Sequence, residues 1–430
     1  MTVAFPQLPE TPKDRLSVYR FFNGMSVEGK EGINAGKNHV PLVKTFLIEH
    51  VSSNHGGQPK PPAEIWGRLN GAPRMIDDLF MSIPGEVKYV DRPYTTTVGY
   101  LEQFDERFFA YYTLEGTYHA QQRVKQWIQK SSDLDSTWFS APLLQSLWEH
   151  DISKRGDDRI TKLNFSHESV FELAEDETAE TGNEVEELAE PDDSEENDRE
   201  NDRIEPERRR SRIMMGDRIS RIRKSLNGLQ TGYSPLNALS AVRFPSLHRR
   251  GSHDLYQHGQ ITNRSDSFED HRNTVRYLYR IYQDILNTTE KLAWKDLETT
   301  RLASQVSYKG VPLIINFEET LAKPTFDRWI ERAFTKRGKF RLWGNPIRLG
   351  PTKVHVYGAD RHLWQPIHLE ITEKRLVAIL PRGTCGNTFH RLVTNIQRYV
   401  CPKITAWIGS QKFEKMLEIV KTAQKEENLA

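Results

Sequence analysis

Two blocks of regularly patterned apolar residues flank a polar middle in this chain. In the N-terminal block, Leu42, Phe46 and Leu47 recur at helical spacing, which predicts an amphipathic helix over 40–51. The residues from 100 to 130 are dense in aromatics and predict one or two helices with a wide buried face. The block as a whole predicts helices at 40–51, 75–83, 100–130 and 138–148, and a strand at 86–90.

The C-terminal block predicts a different order of elements. Val275, Leu278, Tyr282 and Ile285 mark one face of a long helix that begins near residue 270. Pro324 suits the first turn of a further helix. Strands are predicted at 311–317, 339–344, 352–358, 365–372 and 375–380, and closing helices at 388–400 and 411–423.

These elements indicate an α+β fold with two mixed domains, because 430 residues are many for a single core. The predicted domains are 1–170 and 261–430, and an antiparallel meander flanked by helices characterises the second. Between them, 171–260 is predicted as a charged disordered insert. No aromatic residue occurs from 172 to 232, and a segment with so few apolar groups buries too little surface to fold.

Charge changes sign within this insert. Residues 172–207 carry eighteen acids and two bases, whereas 208–250 carry eleven bases and one acid. The formal net charge of the chain is only +1 because opposite charges cancel. The residues after 207 carry a net charge of +19, and the residues up to 207 are net negative. Such polarity indicates that the acidic run competes for the basic surface that follows it.

A basic helix is predicted over 213–226, at the start of the positive segment. Its apolar stripe consists of Met215, Ile219, Ile222 and Leu226, with arginines and a lysine between them. Helices of this kind bind acidic membranes, nucleic acid or a partner groove. The alternative is a helix that docks on its own protein or is held by the acidic run.

Composition and motifs exclude several classes. Two cysteines, Cys385 and Cys401, cannot build a disulfide framework and indicate a reducing compartment. The first residues lack the pattern of a signal peptide, and no apolar run is long enough to span a bilayer, so we expect a soluble cytoplasmic protein without a membrane span. Motifs for ATPases, dinucleotide-binding enzymes and α/β-hydrolases do not occur, and no cofactor is predicted.

A basic hairpin is the first candidate site. Residues 332–353 contain seven bases and no acid, and Phe340 and Trp343 lie among the bases. Nucleic-acid surfaces combine cations that replace phosphate counterions with aromatic faces on which bases stack. The predicted interface comprises Lys336, Arg337, Lys339, Phe340, Arg341, Trp343, Arg348 and Lys353. The alternative is a solvated strand edge, where bases prevent sheets from associating and the aromatics point inward.

A second candidate is the turn around Cys385, which precedes a predicted helix and lies between Gly383 and Gly386. A helix N-terminus favours a thiolate, and glycines let backbone amides approach an anion. Arg391 follows Cys385 by six positions, and this C-x5-R spacing is similar to the phosphate loop of cysteine-dependent phosphatases.

In that resemblance the thiolate would attack phosphorus, Arg391 would clamp the oxygens and Asp360 would serve as general acid. The sequence departs from the pattern at Thr384, Thr388 and Leu392. The alternative is a buried cysteine in a glycine turn that caps a core helix.

A third candidate is a metal site. Strand alternation places His368 and Glu370 on one face, and His355 joins them if the neighbouring strand pairs alongside. Two imidazoles and a carboxylate can hold a divalent metal. The alternative, a polar solvent face, is favoured, so no metal is predicted.

Together these features predict a non-enzymatic accessory protein that binds nucleic acid, or a nucleic-acid-processing partner, through its C-terminal domain. The acidic insert would modulate that contact. A cysteine-dependent enzyme and a protein-interaction scaffold that docks through helix 213–226 remain the competing hypotheses.

Overall fold

The computed structural model describes residues 6–37, 40–51, 62–70, 73–89, 92–155, 159–169, 171, 210–246, 250–299, 306–335 and 338–427. The acidic run at 172–207, for which the sequence predicts disorder, lies outside the described residues. The described residues form helices and antiparallel sheets, which confirms the predicted α+β class. None of their helices combines the length and the hydrophobicity needed to cross a bilayer.

The elements alternate along the chain. The N-terminal elements are α1 (Arg15–Asn34), β1 (Lys44–His50), α2 (Pro62–Asn70), β2 (Arg74–Asp77), β3 (Phe80–Tyr89), β4 (Arg92–Gln103), β5 (Phe108–Thr113), α3 (Thr117–Lys130) and β6 (Leu134–Ser136). The central elements are α4 (Ala141–Arg155), β7 (Ile160–Glu168), β8 (Arg210–Arg218), α5 (Ile219–Gly232), β9 (Leu239–Pro245), β10 (Ser252–Tyr256), β11 (Gln260–Asn263) and α6 (Phe268–Ala293).

The C-terminal elements complete the list: β12 (Asp296–Thr299), β13 (Val306–Lys309), β14 (Leu313–Phe317), α7 (Lys323–Ala333), β15 (Leu342–Gly350), β16 (Lys353–Asp360), β17 (Gln365–Thr372), β18 (Arg375–Ile379), α8 (Asn387–Tyr399), β19 (Ile404–Ile408), β20 (Gln411–Lys412) and α9 (Met416–Glu427).

The chain divides into two compact units. The first is drawn from Met1–Thr137 and Arg243–Tyr279, and the second from Trp138–Thr178, Pro206–Val242 and Arg280–Ala430, as far as these ranges are described. The units therefore cross the boundaries that the sequence predicts at residues 170 and 260. Helix α4 and strand β7 belong with the C-terminal elements because Ser146 donates a hydrogen bond to the Glu414 carbonyl (2.9 Å) and His167 Nδ1 lies 2.8 Å from the Gln397 carbonyl.

The first unit contains an antiparallel sheet in the order β2-β3-β4-β5-β1-β11-β10, and β6 also pairs with β1. Aromatic rings fill the core on one side of this sheet. The indole of Trp127 meets the ring of Tyr111 edge-on at 4.8 Å and that of Trp66 at 5.2 Å, measured between ring centroids. These contacts supply both buried area and the geometry that aromatic pairs prefer.

Two helix predictions in this unit are wrong. Residues 44–50 form β1, a central strand between β5 and β11 whose seven residues are all buried. In a strand that is buried on both faces, apolar and polar residues do not alternate, and its apolar residues can fall at the spacing that is typical of a helix. Residues 75–83 form the end of β2 and the start of β3, joined by a turn in which the Asp77 carboxylate accepts from the amide of Leu79 (2.9 Å).

The aromatic segment 100–130 is helical only in its second half. Helix α3 is confirmed, but residues 100–113 belong mainly to strands β4 and β5, which pair with each other. All six side chains of β5 are buried, so this strand, like β1, is apolar on both faces. The helix predicted at 138–148 is confirmed as α4, and the strand at 86–90 as part of β3.

The second unit contains the predicted meander. Its sheet runs β15-β16-β17-β18-β14-β19-β20, all pairs antiparallel, and helices α7 and α8 belong to the same unit. Strand β7 pairs with β8 and with residues 239–242 of β9, all of which belong to this unit. The long helix α6 and the helix that begins near Pro324 are also confirmed.

Candidate nucleic-acid interface

One face of the meander is exposed to solvent. In β16, Val354 and Val356 point into the core, whereas Tyr357 is 66% exposed. In β15, Leu342 is buried and its neighbour Trp343 is 56% exposed. This alternation is what a strand shows when one face covers a core and the other meets water.

The strand register aligns the exposed side chains in rows. Asn345, Tyr357, His368 and Ile379 are successive Cα partners across β15, β16, β17 and β18, so they share the exposed face. The ring of His368 packs edge-on against that of Tyr357, with centroids 5.2 Å apart. Trp343 begins the neighbouring row, where it pairs with Ala359. The exposed face therefore presents flat rings rather than charged tips alone.

A further aromatic lies in the turn between β16 and β17. Trp364 is 56% exposed and has a φ of 52°, and Leu363 before it has a φ of 64°. Left-handed backbone is rare for residues other than glycine and costs on the order of 1–3 kcal/mol at each position. The turn follows Asp360, whose Cα partner is Gln365, so Trp364 lies at the turn end of this hairpin, two residues before Pro366 in the row of Trp343.

Glu370 is the centre of an ion-pair network in the next row. Its carboxylate lies 2.9 Å from Lys353 Nζ, 3.0 Å from His355 Nε2 and 3.4 Å from Arg375 Nη2. The hydrogen bond from Lys353, followed by that with His355, lowers the pKa of Glu370 to about 2. The carboxylate therefore stays ionised at neutral pH, while the bases around it outnumber it.

The segment that forms the exposed face carries an excess of positive charge. Residues 338–382, which include four strands of the meander, contain eight bases and three acids. One of those acids, Asp360, is buried and points away from solvent. Exposed aromatic rings bordered by cations can stack bases and neutralise phosphates, which is the arrangement that single-stranded nucleic acids require.

The structure divides the residues predicted for the basic hairpin. Trp343 lies on the exposed face, as does Lys353, whose charge is shared with Glu370. Arg348 is paired with Asp327 at 2.7 Å, and Lys339 Nζ lies 5.8 Å from the centroid of the Tyr399 ring.

The other members of that set lie elsewhere. Phe340 is only 2% exposed and packs on Trp329, so it belongs to the core and not to the surface. Arg341 is half-buried in a left-handed turn with a φ of 57°. Lys336 and Arg337 lie outside the described residues.

The candidate metal ligands are brought together only in part. His355 and Glu370 are Cα partners and share a hydrogen bond of 3.0 Å. His368 pairs instead with Tyr357 and packs on its ring. Because Lys353 and Arg375 also contact Glu370, this carboxylate already has cationic partners in place of a metal ion.

Asp360 and Arg391 do converge, but as an ion pair. Arg391 Nη2 contacts Asp360 Oδ1 in a setting where both side chains are almost completely buried, and the Thr388 hydroxyl donates to the other carboxylate oxygen. Burial would raise the pKa of Asp360, but the charges of Arg391 and His362 and the hydrogen bonds from Thr388 and Arg391 together outweigh it, and the pKa is lowered. Arg391 is thereby neutralised, and Asp360 holds no proton to donate at neutral pH.

Cys385 lies in the same buried region and is 4% exposed. Its backbone N–H donates to the Gln365 side-chain oxygen at 2.9 Å, and one ring nitrogen of His362 lies within 4.8 Å of its sulfur. The turn is held by further hydrogen bonds, such as that from the Gly386 amide to Glu290 (2.9 Å). This geometry favours the interpretation of a buried cysteine that precedes a core helix.

The predicted basic helix is two elements. Met215 lies on strand β8, which pairs with β7, and α5 begins only at Ile219, so the prediction of a helix over 213–226 is wrong for its first turn and a half. Ile219, Ile222 and Leu226 form the buried face of α5. They pack within their own chain, which leaves the basic side of the helix, and not its apolar stripe, exposed.

Two aromatics of the face were missed at the level of sequence. Tyr357 shares the alternation that places His355 outward, so the pattern of residues 352–358 already contained the signal. Trp364 carries no such signal, because its exposure depends on left-handed backbone in a turn without glycine. Lys374 and Arg375 were also missed, since they follow a turn outside the basic hairpin.

Comparison with known proteins gives a family. The profile of the MJECL33-like protein family matches residues 26–415. Over 151 residues the chain is 26% identical to the "Uncharacterized protein MJECL33" of Methanocaldococcus jannaschii. That alignment covers 34% of this chain and 34% of the relative, so the chain matches about a third of the relative's length. No solved structure gives a significant match.

Proposed function

This chain belongs to the MJECL33-like protein family, and we propose that it binds single-stranded nucleic acid on the exposed face of its meander. The observation that carries the proposal is a set of exposed rings, with Trp343 and Tyr357 on one sheet face and Trp364 in the turn that joins β16 to β17. Single exposed apolar residues are ordinary, but several flat rings on one sheet face mark a binding surface.

The chemistry of the face favours single strands over duplexes. Bases in a duplex are already stacked on one another, whereas unpaired bases expose flat faces that stack on aromatic side chains. An antiparallel sheet with outward aromatics is one of the supports on which proteins bind such bases. The surrounding cations favour a polyanion over a neutral apolar partner, which supports nucleic acid over an unrelated protein surface.

Two expectations from the sequence accompany this proposal. The acidic run at 172–207 acts as a competing polyanion for the same surface, and the protein acts in the cytoplasm as an accessory factor without chemistry of its own. The buried Cys385 and the neutralised Arg391 support the non-enzymatic alternative over a phosphatase-like one.

Fluorescence anisotropy tests the proposal. Labelled single-stranded DNA and RNA of about 20 nucleotides should bind, since site sizes for such surfaces lie at roughly 4–16 nucleotides. Trp343→Ala and Tyr357→Ala should each weaken binding about 5- to 140-fold, because one stacked base contributes about 1–3 kcal/mol.

The matched control is Tyr118→Ala, which removes an aromatic that is 49% exposed from α3 in the other unit. Its affinity should equal that of the unmodified protein. Equal affinity of the Trp343 and Tyr357 variants, or an absence of binding to any oligonucleotide, would refute the proposed function.

A further inference from the structure

A shallow, open cavity lies at the end of the meander, beyond the aromatic rows. Its volume is about 480 Å³, within the range of small-molecule sites. The turn between β15 and β16 contributes to it, as do the turn between β17 and β18 and strand β14. The lining residues are Asn316, Thr352, Lys353, Thr372, Glu373, Lys374 and Arg375.

The lining is suited to an oxyanion. Three of the seven residues are cations, and Asn316 carries an amide that can donate hydrogen bonds. The hydroxyls of Thr352 and Thr372 donate within the protein, to Glu373 and to the Arg375 carbonyl. The acid, Glu373, accepts a hydrogen bond from Thr352, and this bond lowers the pKa of Glu373. Lys353 and Arg375 also pair with Glu370, so the three cations exceed the two acids, Glu370 and Glu373, by one charge, which a phosphate group would neutralise.

The turn that presents two of the cations is fixed by Thr372. Its hydroxyl oxygen accepts hydrogen bonds from the backbone N–H groups of Lys374 (3.2 Å) and Arg375 (3.1 Å). A side chain that bonds to the backbone two and three residues ahead stabilises a tight turn. Lys374 and Arg375 are exposed there, so their charges face an incoming anion from a defined backbone position.

The cavity continues the aromatic face. Lys353 lines it and is four residues from Tyr357 on the same face of β16. Four residues of strand extend over about 13 Å. That distance corresponds to about four stacked nucleotides at roughly 3.4 Å each. A strand that stacks on Tyr357 and Trp343 therefore reaches the cavity within a few nucleotides.

From this arrangement, and resting on the proposed function, we infer that the cavity binds a phosphate group of the nucleic acid. The rings hold the bases and the cavity holds the backbone, which fixes the direction in which the strand crosses the sheet. An internal phosphodiester and a terminal phosphate share this chemistry, and a comparison of 5′-phosphorylated and 5′-hydroxyl oligonucleotides distinguishes them. Tighter binding of the phosphorylated form supports a terminal phosphate, and equal binding supports an internal one.

The salt dependence of binding gives the decisive measurement. For single strands, log Kobs falls with log salt by about 0.7 for each phosphate that the protein neutralises. Lys374→Gln and Arg375→Gln should each reduce that slope by about 0.7 or less and weaken binding at low salt. Trp343→Ala, by contrast, should lower Kobs at every salt concentration and leave the slope unchanged.

Lys224→Gln is the matched control, since Lys224 is an exposed lysine of α5 that does not line the cavity. It should leave both slope and affinity unchanged. Unaltered slopes in the Lys374 and Arg375 variants, or equal reductions in the Lys224 variant, would overturn the inference while leaving the aromatic face intact.

Inorganic phosphate separates this inference from the proposed function. Isothermal titration should detect phosphate binding to the full chain and its loss in the Lys374→Gln/Arg375→Gln double variant, with the thermal unfolding midpoint as the check on folding. If oligonucleotides do not bind but phosphate does, the proposed function fails and the anion site stands. If the full chain binds phosphate no better than the double variant, the anion site is refuted.

Discussion

Trp364 shows how a single residue can be held against its own backbone preference. Its side chain is largely exposed, so packing does not explain why a bulky residue occupies a left-handed turn position. Strain of this kind persists where the surrounding structure imposes it and is frequent at binding sites. Asp360 imposes it here in part, because its carboxylate accepts the backbone N–H of His362 (3.0 Å) and fixes the start of the turn.

The Trp364→Gly variant should change the stability of the fold and the affinity for oligonucleotides in opposite directions. Because glycine adopts positive φ without strain, Trp364→Gly should raise the free energy of unfolding by about 1 kcal/mol, measured in urea. The same variant should weaken oligonucleotide binding, since the exposed ring is lost. Trp364→Ala is the control, as it removes the ring and keeps the strain. A glycine variant less stable than the alanine variant would contradict this explanation.

Asp360 and Arg391 form the buried pair on which the Cys385 region depends. Asp360→Asn should lower the free energy of unfolding by about 3–5 kcal/mol, because it leaves a buried guanidinium without its counter-charge. Asp327→Asn is the control, since Asp327 pairs with Lys323 and Arg348 at the surface and its loss should cost about 0–1 kcal/mol.

The pH dependence of that difference follows from the lowered pKa of Asp360. A carboxyl whose folded pKa lies below its unfolded value, which is about 3.9, stabilises the fold fully above that value. The stabilisation is lost as the pH falls toward the folded pKa. Urea unfolding should therefore give a difference in free energy of unfolding between the unmodified protein and Asp360→Asn that is constant above about pH 5. That difference should decrease below pH 4. A gap that widens on acidification would show that the pair is not ionised in the fold.

At the scale of elements, the pattern of apolar and polar residues predicted the strands and helices that have one buried face and one solvent-exposed face. Strands β15–β18 alternate between core and solvent, and their meander was predicted. Strand β1 was taken for a helix because both of its faces are buried and its sequence carries no period of two. The position of Trp343, His355, His368 and Glu370 on one face was therefore accessible from sequence.

The remainder of the site depends on turns. Trp364, Lys374 and Arg375 follow strand ends, where backbone geometry and not periodicity decides which way a side chain points. The cavity also needs Asn316, which comes from β14, a strand distant in sequence and adjacent to β18 in the sheet. Neither a left-handed turn without glycine nor a long-range strand pairing has a local signal in the sequence.

At the scale of the whole molecule, the acidic run interrupts a hairpin. It falls between β7 and β8, and Glu168 and Arg210, at the facing ends of these strands, are Cα partners. The described residues that flank the run are therefore close together, and both strands belong to the unit that carries the exposed aromatic face. A deletion of 172–207 leaves residues 169–171 joined to 208–209, a loop of the length that hairpins use.

Deletion of residues 172–207 should tighten nucleic-acid binding at low salt, because it removes a net charge of −16 that competes with the phosphates. The gain should disappear near 1 M salt, where the Debye length is about 3 Å and polyanions no longer compete through charge. A variant in which a glycine-serine segment of equal length replaces 172–207 should bind as tightly as the deletion, whereas a shuffled acidic sequence should bind as weakly as the unmodified protein. Equal affinities for all four proteins in anisotropy titrations at low salt would show that the acidic run does not act on this surface. The run would then serve only as a solvated connection between two strands.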